Sequence, residues 1–424
     1  MKKKLILYSH RIREQLWFRP FLFCLFSVMA ALIANKADGF GIEDMVPDVE
    51  QESIGSLLDI ISASMLVISI FAVTSMISAF SSASNTATPR SFKVVVTDDV
   101  SQNALSVFIG AFIFSIVATI ALDNGYYGKS GRFILFLITL TLFAAVILTF
   151  LRWVDRISRL GRLEHTIKQI ERVVTRSLSK YLEHPTRKGR AIEGEWENAL
   201  AVYANETGYV QHLHLELLQE LAEDEDLNIR LNCLPGKFIH ENHPIAYYRS
   251  KGEADVVRIG TEVCEAITMG ETRHFDEDPR FGLIALTEIA SRALSPGIND
   301  PGTAIQIIGS HERLFFQWNS KDEQADRPEV EYDRIEVPEL SVEDFFEDAF
   351  RPIARDGAGN IEVMLRLQKT LSSIYTIADP QLQKYALQHS EQAYRRAEAS
   401  IDAEKDLQTL RDACLFLHRG QVSA

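Results

Sequence analysis

The chain has 424 residues, 46% of them apolar, and a formal net charge of −14 from 44 Lys and Arg against 58 Asp and Glu. That length exceeds one ordinary core and predicts two or three domains, while the acidic balance excludes nucleic acid, whose binding surfaces demand clustered cations. Four scattered cysteines without CxxC spacing exclude a zinc ribbon or a disulfide framework and suit a reducing compartment.

Residues 1–16 mix Lys2, Lys3, Lys4, Arg11 and Arg13 with Leu5, Ile6 and Leu7. They read equally as a segment lying against anionic lipid and as a simple positive anchor. Residues 17–153 hold four apolar stretches, about 17–35, 57–80, 104–122 and 132–153. Each approaches the roughly 20 residues that cross a bilayer as a helix, which predicts a four-helix transmembrane domain. The first has the basic front of a signal peptide, but its apolar run is long and no small-residue cleavage pattern follows, so it is expected to be retained. Cations before the first stretch, and Arg152, Arg156, Arg159 and Arg162 after the fourth, face an acidic loop at 36–56. This bias puts both termini, and everything from 154 on, on the cytoplasmic side of the membrane.

The second stretch is unusually polar. Glu52, Asp59, Ser62 and Ser69 fall along one stripe of a helix. Asp59 then sits at the interface, or Asp59, Ser62 and Ser69 line an aqueous path, or Ser62, Ser69 and Ala72 let helices approach closely. A path requires several copies around an axis, because four helices enclose little space. Asn103, Ser106 and Gly110 share a face of the third stretch, with the same choice.

Residues 154–183 contain no proline and predict a stalk continuous with the fourth membrane helix. Leu160, Leu163, Ile167, Ile170 and Val174 give it an a/d seam, which either docks on its own domain or joins copies into a homo-oligomer. A polar connector leads into a small β-rich module, 184–252, with strands at "GYVQHLHL", "LNIRLNCL" and "HPIAYYR" and a short helix at "ELLQELAEDE". The piece "PGKFIHENHPIAYY" is similar to half of a biotinyl/lipoyl-like barrel, but no lysine stands in an MKM-like setting, so no cofactor is expected. His212, His214, His240 and His243 offer four imidazoles; without supporting carboxylate or thiolate spacing they are expected to hold no metal.

Residues 253–319 read as helical. "GEADVVRIGTEVCEAITMG" predicts a helix ending near Gly270, and "DPRFGLIALTEIASRAL" one capped by Asp278 with Pro279 at its first position. At "SPGINDP" Asp300 and Pro301 repeat that start, and Gly297 is expected to supply a positive φ. Asn299 and Asp300 place acceptors beside a helix N-terminus, with Ser295 close by and Arg292 one turn upstream. They form a candidate site for a small polar ligand or a protein partner, beside the plainer reading of a corner that only turns the chain. Glu288 reads as an intrahelical partner of Arg292. Residues 320–424 begin with an acidic loop and a strand at "RIEVPEL". Helices follow at about 341–355, 359–378, 380–399 and 402–418, with Asp379 and Pro380 repeating the Asp-Pro start.

"SRALSPGINDPGTAI", "TGYVQHL", "WFRP" and "DPRFGL" together resemble the bacterial membrane-protein family known as domain of unknown function 2254, over about residues 10–410. The resemblance implies an integral inner-membrane protein with a cytoplasmic domain and carries over no catalytic residues. GxSxG, a Walker loop, GxGxxG after a strand and HExxH are all missing, so no enzyme is expected. The expected architecture is four transmembrane helices followed by a cytoplasmic α+β domain with a small β-rich module and a helical bundle. Function is expected to be a homo-oligomeric channel-like or transport component, with a membrane-anchored ligand sensor or docking scaffold as the alternative.

Overall fold

The computed structural model describes residues 18–36, 38, 45–91, 99–159, 162–250, 252, 255–319, 330–376 and 379–414. The basic segment 1–16, Leu160 of the seam and most of the acidic loop lie outside the described residues. The chain divides into two compact units, Met1–Thr166 and Ile167–Ala424.

The first unit holds α1 (Phe18–Lys36), α2 (Gln51–Thr86), α3 (Asp99–Asp123) and α4 (Lys129–Ile157). Three spans, Gln51–Ser82, Val100–Asp123 and Lys129–Ile157, are long and apolar enough to cross a membrane. Where four such spans are expected, three reach that length among the described residues, because the apolar part of α1, Phe18–Ala34, is shorter. At 1.5 Å per residue it reaches about 26 Å, against about 30 Å of hydrocarbon. All four helices turn large apolar side chains outward, among them Leu32, Val67, Ile77, Ile120 and Leu151, each at least 58% exposed. A water-soluble surface rarely carries such a continuous apolar face.

Close contacts set the directions. Arg19 Nη1 donates to Asn103 Oδ1 at 2.9 Å, and a Cβ on Gly110 would lie 3.1 Å from Phe23 Cβ, so α1 runs parallel to α3. Gln51 Nε2 donates to the Leu122 carbonyl at 3.0 Å, so α2 runs antiparallel to it. Asp38 closes the end where α4 begins, accepting from Gly128 N and Gly131 N at 2.8 Å each. Added Cβ atoms there would meet the Asp38 carboxylate at 2.7 and 2.6 Å, so side chains at either position would push this carboxylate off its two amides. One apolar layer joins Ala31, Ile54, Leu58, Phe114 and Leu135; a second joins Ile61, Ala72, Phe108, Val146 and Trp153.

The fourth helix does not run on as a stalk. It ends at Ile157, where Ser158 turns its hydroxyl back to the Asp155 carbonyl at 2.8 Å, and α5 (Leu163–Glu183) starts afresh. Within the second unit Ile167, Ile170, Val174 and Leu178 of α5 are buried. Glu171 accepts from Arg313 Nε at 2.6 Å and from Ser310 Oγ at 2.7 Å. The seam is therefore filled from within its own unit, which is the docking reading.

Further along lie β1 (Gly189–Ala191), β2 (Leu200–Tyr203), β3 (Gly208–Leu213), α6 (Leu215–Asp224), β4 (Leu227–Leu231), β5 (Phe238–Ile239), β6 (Pro244–Ser250), α7 (Val256–Glu265) and β7 (Ile267–Gly270). The helical part has α8 (Pro279–Ala293), α9 (Pro301–Asn319), α10 (Val342–Asp356), α11 (Ile361–Tyr375), α12 (Pro380–Glu398) and α13 (Glu404–Asp412), with β8 (Tyr332–Val337) between α9 and α10. Sheet order is β1-β8-β4-β6-β2 in one sheet and β5-β3-β7 in the other. Along β4, Leu227, Ile229 and Leu231 are buried while Asn228 and Arg230 alternate outward, the period of two that a half-buried strand requires. Two expectations are corrected here. The polar connector contains β1, which pairs in parallel with β8, and "ITMG" is a strand on β3, not the end of a helix. Ile267 and Thr268 are β-branched, and β3 offers them a ladder that a lengthened α7 would forfeit.

Candidate functional site

The "SPGINDP" corner is built as the Asp-Pro signature implies. Asp300 accepts from Thr303 N at 3.1 Å and from Thr303 Oγ1 at 2.5 Å, which holds its carboxyl below the ordinary range. Its own N–H donates to the Ala293 carbonyl at 2.8 Å, stitching the start of α9 to the end of α8. Ser295 donates its hydroxyl to the Arg292 carbonyl at 2.7 Å. The positive φ falls on Asn299, at 51°, and not on Gly297 as expected. Asparagine tolerates the left-handed region better than other side-chain-bearing residues, so this residue type has a backbone reason to be there. Arg292 is half-buried on the last turn of α8, while Asn299 is exposed. Asp300, a supposed ligand group, is thus engaged in holding the corner itself.

In the first unit the predicted stripe divides between two faces. Asp59 is exposed, Ser62 is half-buried, and the Ser69 hydroxyl is buried with no hydrogen-bond partner among the described residues. Ala72 and Gly110 are buried at helix contacts, as close packing of small residues requires.

The second unit contains a cleft that the motifs did not announce. Helix α5 stops before Pro185, and the chain reverses through a turn closed by Arg187 N to His184 O at 2.8 Å and Gly189 N to Thr186 O at 2.9 Å. Arg187 and Lys188 both take left-handed conformations, φ 54° and 68°. Consecutive strain of this kind persists only where the surroundings hold it. Here Glu277 does so: its carboxylate accepts from Arg187 Nη1 at 2.7 Å, and its carbonyl from Arg187 Nη2 at 3.1 Å. The register of β3 against β7 shifts between Val210 and His212, and His212 Nδ1 reaches the same carboxylate at 2.6 Å. Lys180 Nζ lies 3.5 Å from it.

Burial pushes the Glu277 carboxyl up, but the His212 hydrogen bond and the Arg187 charge outweigh it and hold the pKa at about 2. Glu277 is thus an ionised hub inside a mostly covered wall. The neighbouring Asp278 serves the helix. It caps α8 through Phe281 N at 3.1 Å and takes Arg273 on both oxygens, at 2.6 and 2.9 Å. His214 stands with its ring 4.3 Å from that of His212, and burial, reinforced by that neighbour, lowers its pKa. His240 and His243 face each other separately, ring centroids 5.5 Å apart. Among the described residues no three His, Cys, Asp or Glu side chains converge on a metal position.

The cleft encloses about 270 Å³. Tyr181, Leu213, Leu215 and Tyr332 supply its apolar surface, and Lys180, His184 and Lys188 stand among its polar lining. From sequence alone His212 is only one of four imidazoles expected to hold no metal, and Glu277, Arg187 and Lys180 do not stand out. Two signals were available: "FDEDP" carries two acids beyond the one a cap uses, and "HPTRKGR" concentrates cations in an acidic chain.

Apolar helices in one unit and a walled polar cleft in the other define a membrane protein with an α+β second unit. The chain matches the family described as predicted membrane protein, domain of unknown function 2254, over residues 13–373, and belongs to it. It is similar to uncharacterised proteins of Mycobacterium bovis and Mycobacterium tuberculosis H37Rv, 30% identical over 115 residues. That stretch is 26% of this chain and 22% of each relative, so the match spans about a fifth of their length. No solved structure matches.

Proposed function

We propose that this is a membrane-anchored ligand-binding protein of the bacterial inner membrane, whose second unit holds a small molecule in the Glu277 cleft on the cytoplasmic side. The observation that carries it is the hub itself. A carboxylate kept ionised by Arg187 and His212, behind a strained turn, fixes the walls of a cavity suited to a compact ligand. Binding, with no bond made or broken, is the whole of the assigned role. Native mass spectrometry of the protein released from its own membranes tests it. A small non-lipid adduct is expected on the wild type, and Lys180→Trp, which plugs the mouth, is expected to lose it. An identical adduct profile on both proteins sinks the reading.

Cytoplasmic placement of both termini requires α1 to cross as well. Its parallel course beside α3 supports that, with Arg19 and Asn103 marking a common starting level. A cysteine placed at Asp48 should react with an impermeant reagent in intact cells, and one placed at Arg156 should not.

Transport by a homo-oligomer is the second reading. It is favoured by the hydroxyls of Ser69, Ser115 and Thr119, buried within an apolar bundle and without a partner among the described residues. Exposed Asp59 joins such a path only if a second copy covers it, so a solute flux insensitive to Asp59→Asn and Ser69→Ala counts against this alternative.

A further inference from the structure

We infer that the ligand of the Glu277 cleft is a small organic anion, its oxyanion seated among Lys180, His184 and Lys188 and its body against Tyr181 and Tyr332. The inference rests on the proposed ligand-binding reading of that cleft. It follows from which charges are already engaged. Lining the cavity are three permanent cations, Lys180, Arg187 and Lys188, two imidazoles, and the carboxylates Glu216, Asp276 and Glu277.

Both oxygens of Glu277 are taken, one by Arg187 and the other by His212. Glu216 hydrogen-bonds with Tyr332. Asp276 is exposed. On the cationic side, Lys180 reaches Glu277 only at 3.5 Å and its side chain is 67% exposed. His184 Nδ1 is buried with no hydrogen-bond partner among the described residues. Lys188 pairs with Glu331 at a site where both side chains are at least 40% exposed, the kind of contact a ligand displaces at little cost. Two of the three lining acids are engaged, as are Arg187 and His212; this leaves Lys180 loosely held, a buried nitrogen of His184 to be met, and Lys188 in an exposed pair, in a chain with 58 acids against 44 bases. A cationic ligand would find only Asp276 uncommitted; an anion finds donors on three sides. The cavity is too small and too apolar on one wall for a highly charged polyanion, which selects a compact body with one oxyanion group.

Affinity labelling of the full chain in nanodiscs of zwitterionic lipid decides it. The reagent is pyridoxal 5′-phosphate, trapped with borohydride and located by mass spectrometry, against 5-deoxypyridoxal, which has the same ring and free aldehyde without the phosphate. The lysine amine adds to the aldehyde carbon and water leaves; hydride then reduces the imine to a stable amine. Lys180 is expected to be labelled about tenfold more by the phosphate-bearing reagent, the factor one charge-assisted contact commands. Inorganic phosphate should compete, and His184→Gln and Lys188→Gln should each erode the preference. Equal labelling of Lys180 by both reagents, above that of exposed Lys369 and Lys405, overturns the anion and leaves the cleft standing. Labelling of Lys180 no greater than theirs by either reagent overturns the cleft as well. Suppression by anionic lipid in the nanodisc, with inorganic phosphate ineffective, overturns a soluble ligand in favour of a lipid headgroup.

Discussion

The corner at 295–301 and the cleft around Glu277 belong to the same unit and differ in how they use polar groups. In the corner the groups that shape the turn find partners within a few residues: Asp300 with Thr303, Ser295 with Arg292, the Asp300 N–H with Ala293. In the cleft the partners are 65 to 97 residues apart along the chain, as positions 180, 212 and 277 show, and some donors remain uncommitted. A distinctive short motif therefore reported a backbone requirement, while the arrangement with capacity to spare for a ligand left only a diffuse compositional trace.

Replacing the hub should have the largest effect. Glu277→Gln leaves a mostly covered guanidinium without its counter-charge and should cost about 2–3 kcal/mol in denaturant unfolding. A carboxyl held low stabilises the fold fully above its ordinary 4.5 and loses that contribution as pH falls toward about 2. Wild type should therefore lose stability across that acid window, and the variant should show a correspondingly flatter profile. An unchanged profile would break the contrast with the corner.

Gly282→Ala addresses the seat of α5, the helix that carries Lys180 and Tyr181 into the cleft. The added methyl carbon would lie 2.0 Å from Val174 Cγ2, and overpacking of that kind costs about 1–3 kcal/mol. Val174→Ala in the same chain should restore most of the loss; failure to do so would put the cause elsewhere than this contact.

At the corner, Asp300→Ala should cost about 0.5–2 kcal/mol through the lost cap, with ligand binding in the cleft retained. Smallest of all, Asn299→Gly should change stability by less than about 0.5 kcal/mol, because glycine accepts the same positive φ. If that variant abolishes a cellular phenotype while folding normally, the corner recognises something and the comparison must be redrawn.

Legibility followed the range of the interaction. The caps at Asp278, Asp300 and Asp379 were readable because cap and first turn are contiguous, and each accepts a backbone N–H as expected. Three apolar spans were readable because composition alone marks them. Strand β7 was not, since "ITMG" gains its state from β3, more than fifty residues earlier in sequence. The break after Ile157 has a signal in Gly161, which the absence of proline outweighs, and the choice between docking and pairing of the α5 seam turns on Gly282, whose role is to have no side chain. His212 draws notice as one of four imidazoles expected to hold no metal, and its partner, a carboxylate from a distant loop, carries no local signal.

The clasp formed by Asp38 carries a consequence for biosynthesis. Its two amide donors, Gly128 and Gly131, follow it by 90 and 93 residues. While the chain is being made, α1 and α2 are complete, and α3 is barely synthesised, before either donor exists, so the first helix meets its surroundings with this carboxylate lacking both amides. Closure of the clasp then becomes a late event that registers the arrival of α4, and a chain truncated after α3 should be an unusually good substrate for membrane quality-control proteolysis.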